Sequence, residues 1–144
     1  MKKKLNFQTK AIIAGRSVDA ISGKTFETFN PANGKVLAKI ARCDKADADA
    51  AVKAARNAFK NGPWPKMSPA ERKVILQRFA TLIEAHTDEL AELEAMEAGK
   101  PISDCIGIDL PETVGTIRWH AEAADKIYDQ LSPSGSGVVS MIVR

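Results

Sequence analysis

The first forty residues carry apolar and β-branched side chains in short runs broken by turn residues. In "AIIAGRSV", Ile12 and Ile13 precede Gly15-Arg16, which predicts a tight hairpin with glycine at the first central position of a two-residue turn. In "TFETFNPANGKVLAKIA", Asn30, Pro31, Asn33 and Gly34 separate two β-prone runs and predict a second hairpin. From residue 44 the period becomes helical. Asp44 is placed to cap a helix running through Ala46, Ala50, Ala54 and Ala55 to Phe59. Asp47 and Asp49 lie at the positive end of its dipole, and "NGP" at 61–63 ends it.

"MSPAER" is the sharpest local signal. Ser68 is an N-cap, Pro69 fits the first helical position, and Glu71 completes a capping box. One long helical stretch is expected to follow, with Ile75, Phe79, Leu82, Ile83, Leu90, Leu93 and Met96 at helical spacing. Glu84, Asp88, Glu89, Glu92, Glu94 and Glu97 crowd its other faces, as on a solvated surface. A third stretch aligns Leu110, Val114, Ile117, Ala121, Ala124 and Tyr128, with Pro111 either kinking it or sitting near its start. "SPSGSG" at 132–137 reads as a loop, and "VVSMIVR" as a strand that needs a neighbour for its ladder.

The pair Gly99-Lys100 invites a phosphate-loop reading. That loop needs a glycine five residues before the pair and a Ser or Thr after it, so that backbone N–H groups wrap the phosphates and a hydroxyl reaches magnesium. Glu94 and Pro101 stand there instead. A carboxylate repels phosphate and proline offers no hydroxyl, so glycine followed by proline is read as a helix stop.

Composition narrows the class further. The chain has 144 residues, 44% hydrophobic and 27% charged, which suits one globular domain. The net charge of +3 owes much to Lys2, Lys3 and Lys4 and reads as a solvated tail, with no nucleic-acid partner. Neither a signal peptide nor a membrane span is visible, so a cytoplasmic location with no membrane partner is expected. Cys43 and Cys105 lack a CxxC pair and read as reduced, structural thiols. His86 falls on the apolar face and reads as a packed residue, His120 has no metal partner in sight, and Trp64 and Trp119 read as packing residues.

Taken together, "FNPANGKVLAKIA", "DADAAVKAARNAF", "GPWPKMSPAERKVILQRFATLIEAH", "ELAELEAMEAGKPI", "IRWHAEAADKIY" and "SMIVR" resemble the N-terminal part of the NAD(P)-dependent aldehyde dehydrogenase superfamily, from about Ile12 to Arg144. Each piece is weak alone; their order and spacing are specific. The third helix and the "MIVR" ending look most like the γ-glutamyl-aminobutyraldehyde and related aminoaldehyde dehydrogenases.

The resemblance implies an α/β fragment: N-terminal β-hairpins, three main helical stretches, and the first strand of an oligomerisation arm. Residues 1–10 would be a flexible tail, 11–131 the N-terminal part of the dinucleotide-binding domain, and 132–144 the start of the oligomerisation strand. The catalytic domain lies outside it. In the complete enzyme a cysteine thiolate attacks the aldehyde, hydride passes to NAD or NADP, and water hydrolyses the thioester. Neither cysteine matches the nucleophile, and no dinucleotide is expected to bind this segment alone. The expected partners are the rest of the fold and further copies in a homo-oligomer.

Two groups carry over residue by residue. A monovalent cation site in many family members corresponds to Phe29, with Thr28 beside it, and to Glu97. The family's Asp is Glu here, and one methylene moves a carboxylate relative to a hard cation; a helix-end surface glutamate is the alternative. Asp109 and Glu112, three residues apart, share a helix face at the family's substrate entrance, where acidity suits an amine-bearing aldehyde; a solvated face is the alternative. A non-catalytic helical interaction protein and a truncated gene product are the competing readings of the whole chain.

Overall fold

A computed structural model of the chain describes residues 5–128, 130–132 and 140–142; the tail lysines 2–4 and the expected loop at 133–137 lie outside them. Strand β1 (Ala11–Ile13) pairs antiparallel with β2 (Arg16–Val18), and β3 (Thr25–Phe29) with β4 (Val36–Ala41). Both hairpins stand where the turn residues put them, with one shift. The first turn is Ala14-Gly15, both at positive φ (52° and 73°), and Arg16 already belongs to β2. A two-residue turn with both central residues left-handed matches the right-handed twist of the strands. The second turn takes Gly34 N–H to Asn30 O at 2.8 Å, and a register shift at Thr28/Phe29 bends β3 there.

Helix α1 (Lys45–Asn61) starts at Asp44, whose Oδ1 accepts Ala46 N–H at 2.9 Å. Asp47 does more than face the dipole. It is 3% exposed, its Oδ2 accepts Asp44 N–H and its Oδ1 accepts Ile21 N–H, each at 2.9 Å. The loop after β2 is thereby clasped to the first turn of α1. Thr9, within the expected tail, accepts Ala41 N–H at 2.8 Å and lies against the end of β4.

A 3₁₀ turn (Trp64–Lys66) leads to α2 (Pro69–Ala85), which carries the full capping box. Ser68 Oγ accepts Glu71 N–H, and Glu71 Oε2 accepts Ser68 N–H at 2.7 Å. The expected single long helix is two. His86 leaves helical geometry (φ −114°, ψ 18°), Thr87 Oγ1 donates to Glu84 O at 2.9 Å, and α3 (Thr87–Ala98) begins with Asp88 and Glu89 in its first turn. Because His86 sits at this corner, its side chain is 58% exposed and not packed in the apolar face.

Gly99 ends α3 in the left-handed region (φ 73°), with its N–H on Ala95 O, as the helix-stop reading requires. A Cβ there would stand 2.8 Å from Pro31 Cγ, so the bare glycine lets the end of α3 meet the β3–β4 turn. A short α4 (Ile102–Asp104), a π-helical turn (Cys105–Asp109) and α5 (Leu110–Ala123) then run on without a break. Pro111 lies in the first turn of α5; Ala124 and Tyr128 fall beyond the helix. β5 (Gln130–Ser132) supplies the neighbour for β6 (Ser140–Ile142) in an antiparallel pair.

Helices α2 and α5 form the most extensive contact between helices. Ala80, Ala91, Leu110, Val114 and Ala121 are buried among the helices, with Cys105 fully enclosed, and Ile83, Leu90 and Ala95 pack against the Ala91–Cys105–Leu110 cluster. Arg118 grips Glu84 with two guanidinium N–H bonds of 2.8 and 2.5 Å, and Lys73 and Gln77 hold Glu122 at 2.7 and 2.9 Å. The other side of α2 is bare: Val74, Ile75, Phe79 and Leu82 are exposed. Trp64 and Trp119 are exposed as well (39% and 67%), so neither packs within this chain as the sequence suggested. Exposed apolar groups of this size and number mark surface that something else covers.

Candidate substrate entrance and cation site

The break after α3 brings back in space what it separates in sequence. Lys100, just past the Gly99 stop, donates to Asp109 Oδ2 at the end of the π turn, nine residues on. The π turn, in which Leu110 N–H reaches Cys105 O, adds one residue to the helix and aims Asp109 toward the end of α3. Glu94 comes from that end: its carboxylate, Cys105 Sγ and an Asp109 oxygen all lie within 4.8 Å of one another.

The electrostatics of this group follow from its geometry. The Asp109 hydrogen bond raises the Lys100 ammonium above the usual lysine range, against the opposing effect of burial and with further help from the charges of Asp109 and Glu94. Burial pushes the Cys105 thiol up, and the carboxylates of Glu94 and Asp109 push it further. A thiol held protonated is a poor nucleophile and a poor metal ligand. The trio therefore carries its charge compensation in Lys100, and no metal is assigned to it.

Glu112 stands one turn further along α5 and is exposed. It lies on the ridge between two shallow depressions. One, of about 510 Å³, is lined by Glu94, Asp109, Glu112, Thr113, Thr116 and Ile117; the other, of about 530 Å³, runs from Glu112 over Gly115 and Thr116 to Trp119 and His120. His120 Nδ1 is 2.9 Å from Thr116 O and its ring stands edge-on to Trp119, centroids 4.9 Å apart, so the second depression has an aromatic rim. The spacing of Asp109 and Glu112 does place both on one lined surface. What the sequence did not reveal is Lys100, because a pairing across a glycine-proline break leaves no periodic signal.

The other candidate group lies at the seam between hairpin and helix. Thr28 is half-buried and Phe29 exposed at the register shift of β3; Glu97 is exposed in the last turn of α3. Gly99 against Pro31 brings the end of α3 up to the β3–β4 turn, two residues along the chain from Glu97 and from Phe29. The glycine ends α3 against Pro31, with its N–H on Ala95 O, and the Lys100 side chain pairs with Asp109.

Comparison with known proteins decides the family. The model of the aldehyde dehydrogenase family matches residues 18–144. The chain belongs to the aldehyde dehydrogenase family. It is 49% identical to aminoacetaldehyde dehydrogenase of Pseudomonas aeruginosa over 140 residues, which cover 97% of this chain and 28% of that enzyme. It superposes on a γ-glutamyl-γ-aminobutyraldehyde dehydrogenase from Burkholderia cenocepacia with a TM-score of 0.88 at 44% identity, covering 91% of this chain and 27% of that one. The NAD+ complex of an aldehyde dehydrogenase from Bacillus cereus gives a TM-score of 0.90, again at 44% identity, over 95% of this chain and 28% of that one. The chain thus spans a little over a quarter of the relatives it matches, and its fold is that part of theirs. Among the described residues no helix is long and apolar enough to cross a membrane.

Proposed function

We propose that this chain is the helical and hairpin portion of an NAD(P)-dependent aldehyde dehydrogenase, cytoplasmic and homo-oligomeric, that oxidises an amine-bearing aldehyde to the carboxylic acid. The observation that carries this reading is the family match through residues 18–144 at backbone similarity near 0.9 to complete enzymes. The bare apolar side of α2 supports it, since a larger fold has surface to lay there. In this reading the segment does not carry the thiolate or the dinucleotide. It forms one wall of the substrate path, with the acidic surface of Asp109 and Glu112 at the entrance, and its β5–β6 pair starts the arm between subunits. The corner of Phe29, Thr28 and Glu97 is the proposed place of a monovalent cation, which a main-chain carbonyl and a carboxylate suit. The names of two similar enzymes, acting on aminoacetaldehyde and on γ-glutamyl-γ-aminobutyraldehyde, support a nitrogen-bearing substrate.

The test is to prepare residues 1–144 alone and joined to the remaining part of the Pseudomonas aeruginosa relative, then to follow NADH formation from 3-aminopropanal and from propanal. The joined enzyme is expected to turn over both and to have the lower KM for 3-aminopropanal. The segment alone is expected to produce no NADH. Turnover by the segment alone, or a joined enzyme that folds, binds NAD+ and oxidises no aldehyde, overturns the proposal.

A further inference from the structure

The hairpins enclose a pocket that shares no residue with either candidate group. Its lysines come from segments far apart in sequence: Lys10 precedes β1, Lys24 stands directly before β3, and Lys39 lies in β4. Side chains two apart in a strand share a face, and the register sets Thr25 opposite Ala41 and Glu27 opposite Lys39. The end of β4 also receives the chain before β1, through Ala41 N–H on Thr9 O, and the chain before β3, through Arg42 N–H on Lys24 O, both at 2.8 Å. These pairings gather Thr9, Lys10, Asp19, Lys24, Thr25 and Lys39 around one pocket of about 340 Å³, a volume that suits a small ligand. The loop along its side is fixed in place. Ala20 is buried, Gly23 N–H closes a turn on Ala20 O at 2.8 Å, and Asp47 holds Ile21 N–H.

Three ammonium groups line this pocket against a single carboxylate, that of Asp19, which Lys10 Nζ already meets at 2.9 Å. Lys39 has Glu27 at 3.7 Å, beyond hydrogen-bond reach, and Glu27 does not line the pocket. The Lys24 ammonium has no partner among the described residues, and neither do the hydroxyls of Thr9 and Thr25. Like charges repel, and an anion between them turns that repulsion into attraction. A phosphate group brings close to two negative charges and three strong acceptor oxygens, which answers both the excess of ammonium groups and the idle hydroxyls. We infer that this pocket binds a phosphate group, free or carried by a small organic molecule, with Lys24 as its main contact, Lys39 as a second charge and the two threonines as neutral donors. Asp19 draws Lys10 aside and limits the affinity. The inference goes beyond the aminoaldehyde reading and does not depend on it.

The experiment titrates the 144-residue chain with inorganic phosphate and with glycerol 3-phosphate, at constant ionic strength and with chloride and glycerol as controls, and follows the backbone amide resonances. Saturable shifts are expected in the millimolar range at Gly23, Thr25 and Ala41, with the amides of α2 and α5 unmoved. Tighter binding of the ester assigns the pocket to an organic phosphate; equal or weaker binding assigns it to the free anion, and either supports the site. Lys24→Gln is expected to weaken binding about two- to fivefold and Asp19→Asn to tighten it by a similar factor, as single exposed charge contacts are of this size. Lys53→Gln, at an exposed lysine of α1 outside the pocket, should leave binding unchanged. Unmoved resonances of α2 and α5 report that each variant is folded. Equilibrium dialysis of radiolabelled glycerol 3-phosphate against the same variants measures the affinity a second way. No saturable binding, shifts spread evenly over every lysine-bearing surface, or equal losses in Lys53→Gln and Lys24→Gln would overturn the inference and leave a solvated basic face.

Discussion

The helical part of the molecule, α2 to α5, and the N-terminal part, the two hairpins with α1, are held by different forces. Among the helices the residues removed from water are apolar or small: Ala80, Ala91, Cys105, Leu110, Val114 and Ala121. Among the described residues of the N-terminal part only Ala20 and Asp47 reach that state, and the second of these is a carboxylate. Small side chains at a helix crossing let backbones approach and recover dispersion over many atom pairs. A two-stranded hairpin has no such face of its own and is marginal in isolation. The hairpins therefore depend on directed polar contacts, Ile21 N–H to Asp47 above all, and on Pro31 seating against Gly99. The helices fold around themselves. The hairpins fold onto the helices.

The largest effect should come from the apolar part. Leu110 is the biggest aliphatic side chain in the Ala91–Cys105–Leu110 cluster, and Leu110→Ala should cost about 2–4 kcal/mol from lost burial and the cavity left behind. Denaturant unfolding of the chain reads this directly. A cost under about 1 kcal/mol, below the range for such truncations, would mean that the helices are no better packed than the hairpins, and the contrast would fail.

An intermediate effect, confined to the N-terminal part, should follow pH. The N–H groups of Asp44 and Ile21 hold the Asp47 carboxyl below the usual aspartate value, against the opposing pull of burial. A carboxylate with a lowered folded-state pKa contributes stability that is complete above its unfolded value and is lost as pH falls through the folded one. Hydrogen-exchange protection at Ile21 should thus fall as pH drops from about 4, with the amides of α2 and α5 still protected there. Asp47→Asn should give the loosened state at neutral pH and remove the acid dependence. Simultaneous loss in both regions would show one cooperative unit in place of two differently held ones.

How much of this was legible beforehand depended on whether the cause was local. Ser68-Pro69 with Glu71, Asp44, and Gly99 before Pro101 act within a turn of their own backbone, and each stands where the residue types put it. The break at His86 was also written locally, in Thr87-Asp88-Glu89, but the continuous apolar spacing from Ile75 to Met96 masks it. That spacing marks the faces of α2 and α3 correctly, yet it cannot say what covers Ile75, Phe79 and Leu82, which this chain leaves exposed. Asp47 looked like a dipole partner because its second role depends on Ile21, 26 residues away. At the candidate entrance, Asp109 and Glu112 were visible as a pair. Lys100 was not, since only the folded turn through Pro101 and the π segment brings it there.

The smallest expected effect tests the hairpins at a single backbone angle. Ala14 occupies the left-handed region at φ 52°, where a Cβ crowds the following carbonyl, and Gly15 beside it carries the same sign without that cost. The turn keeps this geometry because the register Ile13↔Arg16 and Ala11↔Val18 leaves two residues to reverse the chain. Ala14→Gly relieves the crowding but adds freedom to the unfolded chain, so the net gain should be a few tenths to about 1 kcal/mol. It should appear as slower hydrogen exchange in β1 and β2, with the unfolding midpoint of the helices unmoved. Ala14→Val, β-branched at the same angle, should shift exchange the other way by more. If both substitutions leave the hairpin amides unchanged, the register of the strands and not the turn determines its stability, and the N-terminal part is held more firmly by pairing than its sparse burial implies.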